Sequence, residues 1–239
     1  LLLGCDDSGG DDADGGNATG TDTTGTTGGG TGVELLDMAA LEAGWIGGDP
    51  MTADDDPGGV QGAIYLYGDE TSCTFTMGEN PCTAAGCCIS GATITDPTFA
   101  AWGCGIGISL NETGGDASTK LPYKGSPTAT FNYTFTGDTG GNQLRAGFTQ
   151  FNDTAGLVSP YLPINAFTNG VQGSVSFDTA TYPSWCSTSE DCLAPPDRMP
   201  ADPGAPADPA AAHDLQFQIA GGERDGAFSL CLTSLTVSG

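Results

Sequence analysis

The chain is poor in positive charge. Lys120, Lys124, Arg145, Arg198 and Arg224 are its basic residues against 30 acidic ones, giving a formal charge of -25. Such a field repels phosphate backbones and anionic headgroups, which excludes nucleic acid as a partner. Histidine occurs once, at His213. A lone imidazole at a loop end is expected to face solvent, and it cannot build a histidine-rich metal centre. Beyond the first residues no stretch approaches the roughly 18 consecutive apolar residues of a spanning helix. Also missing are a Gly-x-Ser-x-Gly elbow, a His-Glu-x-x-His helix and a phosphate-binding glycine loop. Glu112, Asp116 and Glu223 fall at strand ends or turns, and no tight acidic pair lies on a predicted strand as glycoside hydrolysis would need. The sequence therefore predicts a protein that is not an enzyme and calls for no organic cofactor.

Cysteine, by contrast, is plentiful, with nine residues. Cys5 follows Leu1-Leu2-Leu3-Gly4 and precedes an acidic, glycine-rich tail, Asp6 to Asp12. This resembles the lipobox of a bacterial lipoprotein, whose cysteine is acylated. The chain starts without methionine, so most of a signal peptide (residues 1–5 being its remnant) is expected to lie upstream. The resemblance implies attachment to a lipid bilayer through acyl chains, each contributing ~0.8 kcal/mol per buried methylene, and a place in the cell envelope, at the outer membrane or cell surface. The remaining cysteines, Cys73, Cys82, Cys87, Cys88, Cys104, Cys186, Cys192 and Cys231, are even in number in a chain read as exported, which predicts an oxidised framework of disulfides. Cys186 and Cys192, separated by a short polar loop, are the easiest pair to join. The connectivity of the others stays open. Zinc is the competing use, but the paired Cys-x-x-Cys spacing it favours is absent.

Composition divides the chain. Residues 6–32 hold only Asp, Gly, Ser, Thr, Asn and Ala, nothing that burial could use to offset ordering entropy, and so predict a flexible acidic linker. Residues 33–239 read as one domain. A short helix is expected over 33–43 (VELLDMAALEA). After Asp54-Asp55-Asp56-Pro57, nine short segments follow, separated by Gly, Pro, Asn and Asp turns: 61–67, 72–77, 87–94, 104–111, 128–136, 143–151, 171–178, 214–220 and 227–238. Phe131, Tyr133 and Phe135 alternate with Asn132, Thr134 and Thr136, a period of two. The predicted class is all-β: a two-layer antiparallel β-sandwich or jelly roll, stabilised by disulfides. Residues 193–212, dominated by Pro, Ala and Asp, are expected to form an extended surface loop, since proline supplies no ladder amide.

Three stretches carry a family resemblance. Gly62-Ala63-Ile64-Tyr65-Leu66-Tyr67-Gly68-Asp69 resembles the opening strand of a galactose-binding-like jelly roll, and Trp102 to Asn111 is similar to that family's next core strand. Leu215 to Ile219 followed by Phe228 to Leu235 matches its last two strands. The resemblance implies a carbohydrate-binding module, with polysaccharide or another glycan as partner. It also implies a structural calcium site, for which Asp54, Asp55, Asp56 and Asp69 offer oxygens, although Thr233-Ser234 stands where the family carries Asp-Asn.

Alternation also sorts side chains. With Ile64, Leu66, Leu144, Ala146, Phe148, Leu215, Phe217 and Ile219 facing the core, Tyr65, Tyr67, Arg145, Thr149, Gln216 and Gln218 share the opposite face. Tyrosine rings stack on pyranose C–H faces while Arg, Gln and Thr hydrogen-bond hydroxyls, so these six are the predicted ligand-binding set. Trp45, Trp102 and Trp185 are further aromatic candidates, the latter two read first as packing. A structural or adhesive surface protein, in which the same sandwich contacts other proteins, is the alternative, and a glycoside hydrolase a more distant one. If Cys5 carries the anchor, Cys5→Ser should move the protein from the membrane pellet to the soluble fraction on cell fractionation.

Overall fold

The computed structural model describes residues 32–36, 41, 44–46, 59–73, 75, 78–96, 102–114, 119–151, 159–164, 167–183 and 204–239. Among them no residue is in an α-helix. The strands in chain order are β1 (Val33–Glu34), β2 (Trp45–Ile46), β3 (Gly62–Gly68), β4 (Cys82–Thr83), β5 (Gly86–Thr93), β6 (Gly103–Ser109), β7 (Thr130–Asp138), β8 (Leu144–Gln150), β9 (Tyr161–Ile164), β10 (Gln172–Ser176), β11 (Ala212–Ala220) and β12 (Gly226–Ser238). They form two sheets with antiparallel ladders. One runs β10-β7-β12-β5-β4 with β1 added to β12, and the other runs β2-β3-β6-β11-β8-β9. The predicted two-layer antiparallel sandwich is what the chain forms.

Alternation decides which side chains meet between the sheets. Phe131, Tyr133 and Phe135 of β7 point inward from the first sheet, and Phe148 and Phe217 of β8 and β11 from the second. Phe217 sits 5.0 Å, ring centre to ring centre, from both Tyr133 and Phe135, and Phe131 sits 5.7 Å from Phe148. Tilted and edge-on pairs of this kind contribute about 0.5–1.5 kcal/mol each beyond the area they bury. Ile64, Leu66, Leu144, Ala146, Leu215 and Ile219 complete this layer, all buried as the alternation requires. Burial also pushes the Tyr123 and Tyr133 hydroxyls up to about 12.

Among the described residues three disulfides reinforce the sandwich: Cys73–Cys104, Cys82–Cys87 and Cys88–Cys231. Cys87 and Cys88 are neighbours on β5 and so point to opposite sides of the sheet. Cys87 closes the β4–β5 hairpin, and Cys88 staples β5 to the directly opposite Cys231 on β12. Cys73 makes a bridge with Gly91 of β5, in the first sheet, while its sulfur joins Cys104 of β6, in the second. That link ties the two layers covalently. Cys186 and Cys192 lie outside the described residues, as do Cys5 and residues 6–31 of the linker.

Several expectations need correcting. Val33–Glu34 is not helical but pairs with Val237 and Thr236 of β12, and the Leu35 amide donates to the Leu235 carbonyl. The described residues of segment 72–77, Ser72, Cys73 and Phe75, form no strand. Asp69 draws the chain into a turn there by accepting the amides of Thr71 and Ser72, leaving Cys73 as an isolated bridge. In the loop expected over 193–212, residues 204–212 pack down. Ala207 and Ala211 are buried, the Ala207 amide donates to the Phe177 and Ala180 carbonyls, and Ala212 already belongs to β11. Small side chains let the backbone approach the sandwich where proline alone would have kept it away.

Closing a longer loop removes more entropy from the unfolded chain. The bridges span 143, 31 and 5 residues, so replacing each pair with alanine should cost about 5, 4 and 2 kcal/mol in the order Cys88–Cys231, Cys73–Cys104, Cys82–Cys87. Denaturant midpoints of the three double variants check this ranking.

Candidate functional site

The outer face of the second sheet collects the chemistry. Cross-strand register places Tyr65 opposite Gly107, Gly107 opposite Gln216, and Gln216 opposite Gly147. One step along, Tyr67, Gly105, Gln218 and Arg145 line up in the same way, and Ser109, Asp214 and Thr149 form a third row. All six residues predicted to share a face do share it, and each is partly exposed. Trp45 joins them, because it pairs with Ala63 at the β2 edge.

The glycines of β6 decide how the tyrosines lie. A β-carbon on Gly105 would stand 2.3 Å from the Tyr67 ring, and one on Gly107 would stand 2.4 Å from the Tyr65 ring. Both rings therefore lie across the bare backbone of β6, as aromatic side chains do over a neighbouring strand's glycine. Their centres are 6.4 Å apart. Trp102, just ahead of β6, stacks on Tyr67 at 6.2 Å and 25° and keeps 40% of its surface exposed. It is an exposed platform and not the packing residue expected. Burial, then the nearby Asp214 charge, raises the hydroxyl pKa of both Tyr65 and Tyr67, so both stay neutral hydrogen-bonding groups.

Asp214 is the electrostatic hub. Lys120 donates to both its oxygens at 2.7 and 2.8 Å, Ser109 Oγ donates at 3.0 Å, and His213 Nδ1 lies 2.9 Å away. Burial alone would raise this carboxyl, but the His213 hydrogen bond and the Lys120 charge outweigh it and hold it below its ordinary value of 3.8. An ionised carboxylate only accepts, so His213 Nδ1 is the donor in this contact. His213 is thus not the solvent-facing imidazole expected. The register shift between Ala212 and Asp214 makes it the extra residue of a β-bulge, which turns the ring toward Asp214 and against Phe151, 4.5 Å between centres.

Lys120 belongs to no named strand, so nothing in the alternation points it at this face. Its ammonium nevertheless lies over the Tyr65 ring, 4.7 Å from the centre and 3.3 Å from the hydroxyl. Glu112, expected at an ordinary turn, is buried opposite Lys120 in a two-stranded bridge, with Oε2 unpartnered among the described residues. Arg145 donates from Nε to Gln143 at 2.8 Å and stacks over Tyr161, 4.7 Å from the ring centre. Tyr161, on an edge strand interrupted by Pro163, carried no readable period. Gln218 donates to the Trp102 carbonyl at 3.2 Å. The Thr149 hydroxyl and the Trp45 indole nitrogen are buried without a hydrogen-bond partner among the described residues.

Of the four aspartates offered for calcium, Asp69 directs its oxygens to the amides of Thr71, Ser72 and Gly103, an amide cradle and not a cation cage. Asp54, Asp55 and Asp56 lie outside the described residues, as does Trp185. No group of three or more acidic, histidine or cysteine side chains suited to a metal occurs among the described residues.

Fold and face together define a β-sandwich with an aromatic-floored, polar-walled sheet surface. No family model and no curated protein matches the chain. Among solved structures, a family 11 carbohydrate-binding module from Clostridium thermocellum, in complex with a β-1,3-1,4-mixed-linked tetrasaccharide, is 15% identical at a TM-score of 0.39, over 88% of this chain and 98% of that one. The family 11 module of a cellulosomal cellulase from the same organism is 13% identical at 0.33, over 74% of this chain and 82% of that one. An agarase is 13% identical at 0.33 over 64% of this chain, which spans 22% of the agarase. At these scores none of them assigns a site or a ligand to this chain.

The depressed Asp214 carboxyl stabilises the fold above about pH 3.8, and that contribution is lost as pH falls through the lower folded value. Asp214→Asn, which leaves Lys120 buried without a counter-charge, should cost about 3 kcal/mol at neutral pH. The gap from the parent should narrow in acid, as followed by denaturant melts across pH.

Proposed function

We propose that this protein is a non-catalytic carbohydrate-binding β-sandwich, held at the cell envelope through an acylated Cys5, with the outer face of the second sheet as its glycan site. The observation that carries the reading is the combination on one face of flat aromatic rings with fixed hydrogen-bonding side chains. Tyr67 and Trp102 offer a stacked aromatic surface suited to the C–H face of a sugar ring. Beside them Arg145, Gln216, Gln218 and Thr149 supply donors and acceptors suited to hydroxyls.

Tyr65 has a different part. With Lys120 over its ring, it serves as a wall and a hydroxyl more than as a platform. The His213–Asp214 pair has the composition of a hydrolytic site, yet Ser109 bonds to the carboxylate and not to the imidazole. A nucleophile–base contact of the Ser-His-Asp type is therefore missing from this cluster.

A glycan array probed with the chain tests the reading, followed by calorimetry on the best glycan. Tyr67→Ala should weaken binding by about one decade through a lost stacking ring, and Arg145→Ala by about one to two decades through loss of a charged hydrogen bond of ~1.5–3 kcal/mol. Unchanged affinity in both variants would place the site elsewhere.

A further inference from the structure

Two exposed aromatic residues mark opposite ends of this face. Trp102 precedes β6, where β11 ends, and is 40% exposed. Phe151 follows β8 beside the start of β11 and is 43% exposed. It continues the outward alternation of Arg145, Gly147 and Thr149, and its ring rests on His213, which Asp214 holds in place. The intervening strands put about 30 Å between the two ends, a span of several sugar rings.

Charge narrows what can lie there. Lys120 is neutralised by Asp214, and Arg145, packed on Tyr161, is the one guanidinium on the face among the described residues. A polymer with a negative group on every repeat would meet a single such cation within a molecule of formal charge -25. The resulting repulsion is strongest at low ionic strength, whereas stacking and hydroxyl hydrogen bonds are indifferent to salt.

Resting on the carbohydrate reading, we infer that the ligand is an uncharged polysaccharide and that Phe151, with His213 behind it, forms a second aromatic contact at the far end from Trp102 and Tyr67.

Affinity gel electrophoresis of the 239-residue chain tests this, with gels containing hydroxyethylcellulose, galactomannan or laminarin set beside gels containing alginate or polygalacturonate, at low and moderate salt. Retardation by a neutral polymer only, equal at both salt concentrations, is the expected result. Phe151→Ala and Trp102→Ala should each reduce it by about tenfold in affinity. Phe151→Leu, which keeps apolar bulk but removes the ring, should weaken it too, while Val171→Ala, at an exposed valine on the other sheet, should not. Retardation by the acidic polymers, or neutral retardation that salt abolishes, overturns the uncharged-ligand inference. Full retardation of both Phe151 variants overturns the second contact. No retardation in any gel overturns the carbohydrate reading itself, and this inference with it.

Discussion

The bare backbone of β6 at Gly105 and Gly107 is the constraint on which the outer face depends. Because nothing projects from those two positions, Tyr67 and Tyr65 lie down across the neighbouring strand. From there the contacts run outward in both directions. Trp102 stacks on Tyr67 at one side. On the other, Lys120 covers Tyr65 and reaches Asp214, which orients His213, on which Phe151 rests. A methyl group at either glycine would lift a ring and disturb the whole succession, although neither glycine offers any group to a ligand.

The buried charges in this succession do not exist chiefly for stability. Taking Lys120 and Asp214 out of water costs several kcal/mol per ion, which their attraction does little more than repay. What the pair contributes is geometry: the carboxylate accepts from three side chains at once. Such a network fixes the orientation of an ammonium, a hydroxyl and an imidazole on a surface that apolar residues would have left featureless.

Much of this was legible in the sequence, and the reason is periodicity. Every strand of five or more residues was read to within a few positions, and the inward set Ile64, Leu66, Phe148, Phe217 and Ile219 is the buried set. The two-residue strands β1, β2 and β4 are too short to show a period, and Pro163 disguised β9, which tolerates it as an edge strand. Contacts between residues remote in sequence were also hidden. Lys120 and Asp214 are 94 residues apart, and a single extra residue at the bulge reversed the direction expected of His213. One signal was present and unread. The alternation Gly103, Gly105, Gly107 opposite a strand bearing Tyr65 and Tyr67 already states that two large rings have room to lie flat.

The bridge from Cys88 to Cys231 has a mechanical consequence. Suppose tension enters upstream of β1 and leaves downstream of β12. The two residue pairs that join β1 to β12 bear the load first, and they can part without disturbing the core. Beyond that point the load follows the chain through β2 and β3 to residue 88 and then crosses directly to residue 231, so strands β6 to β11 lie off its path. A pull on a molecule built this way can draw out only what precedes residue 88, and the six strands from β6 to β11 stay inside one covalently closed loop.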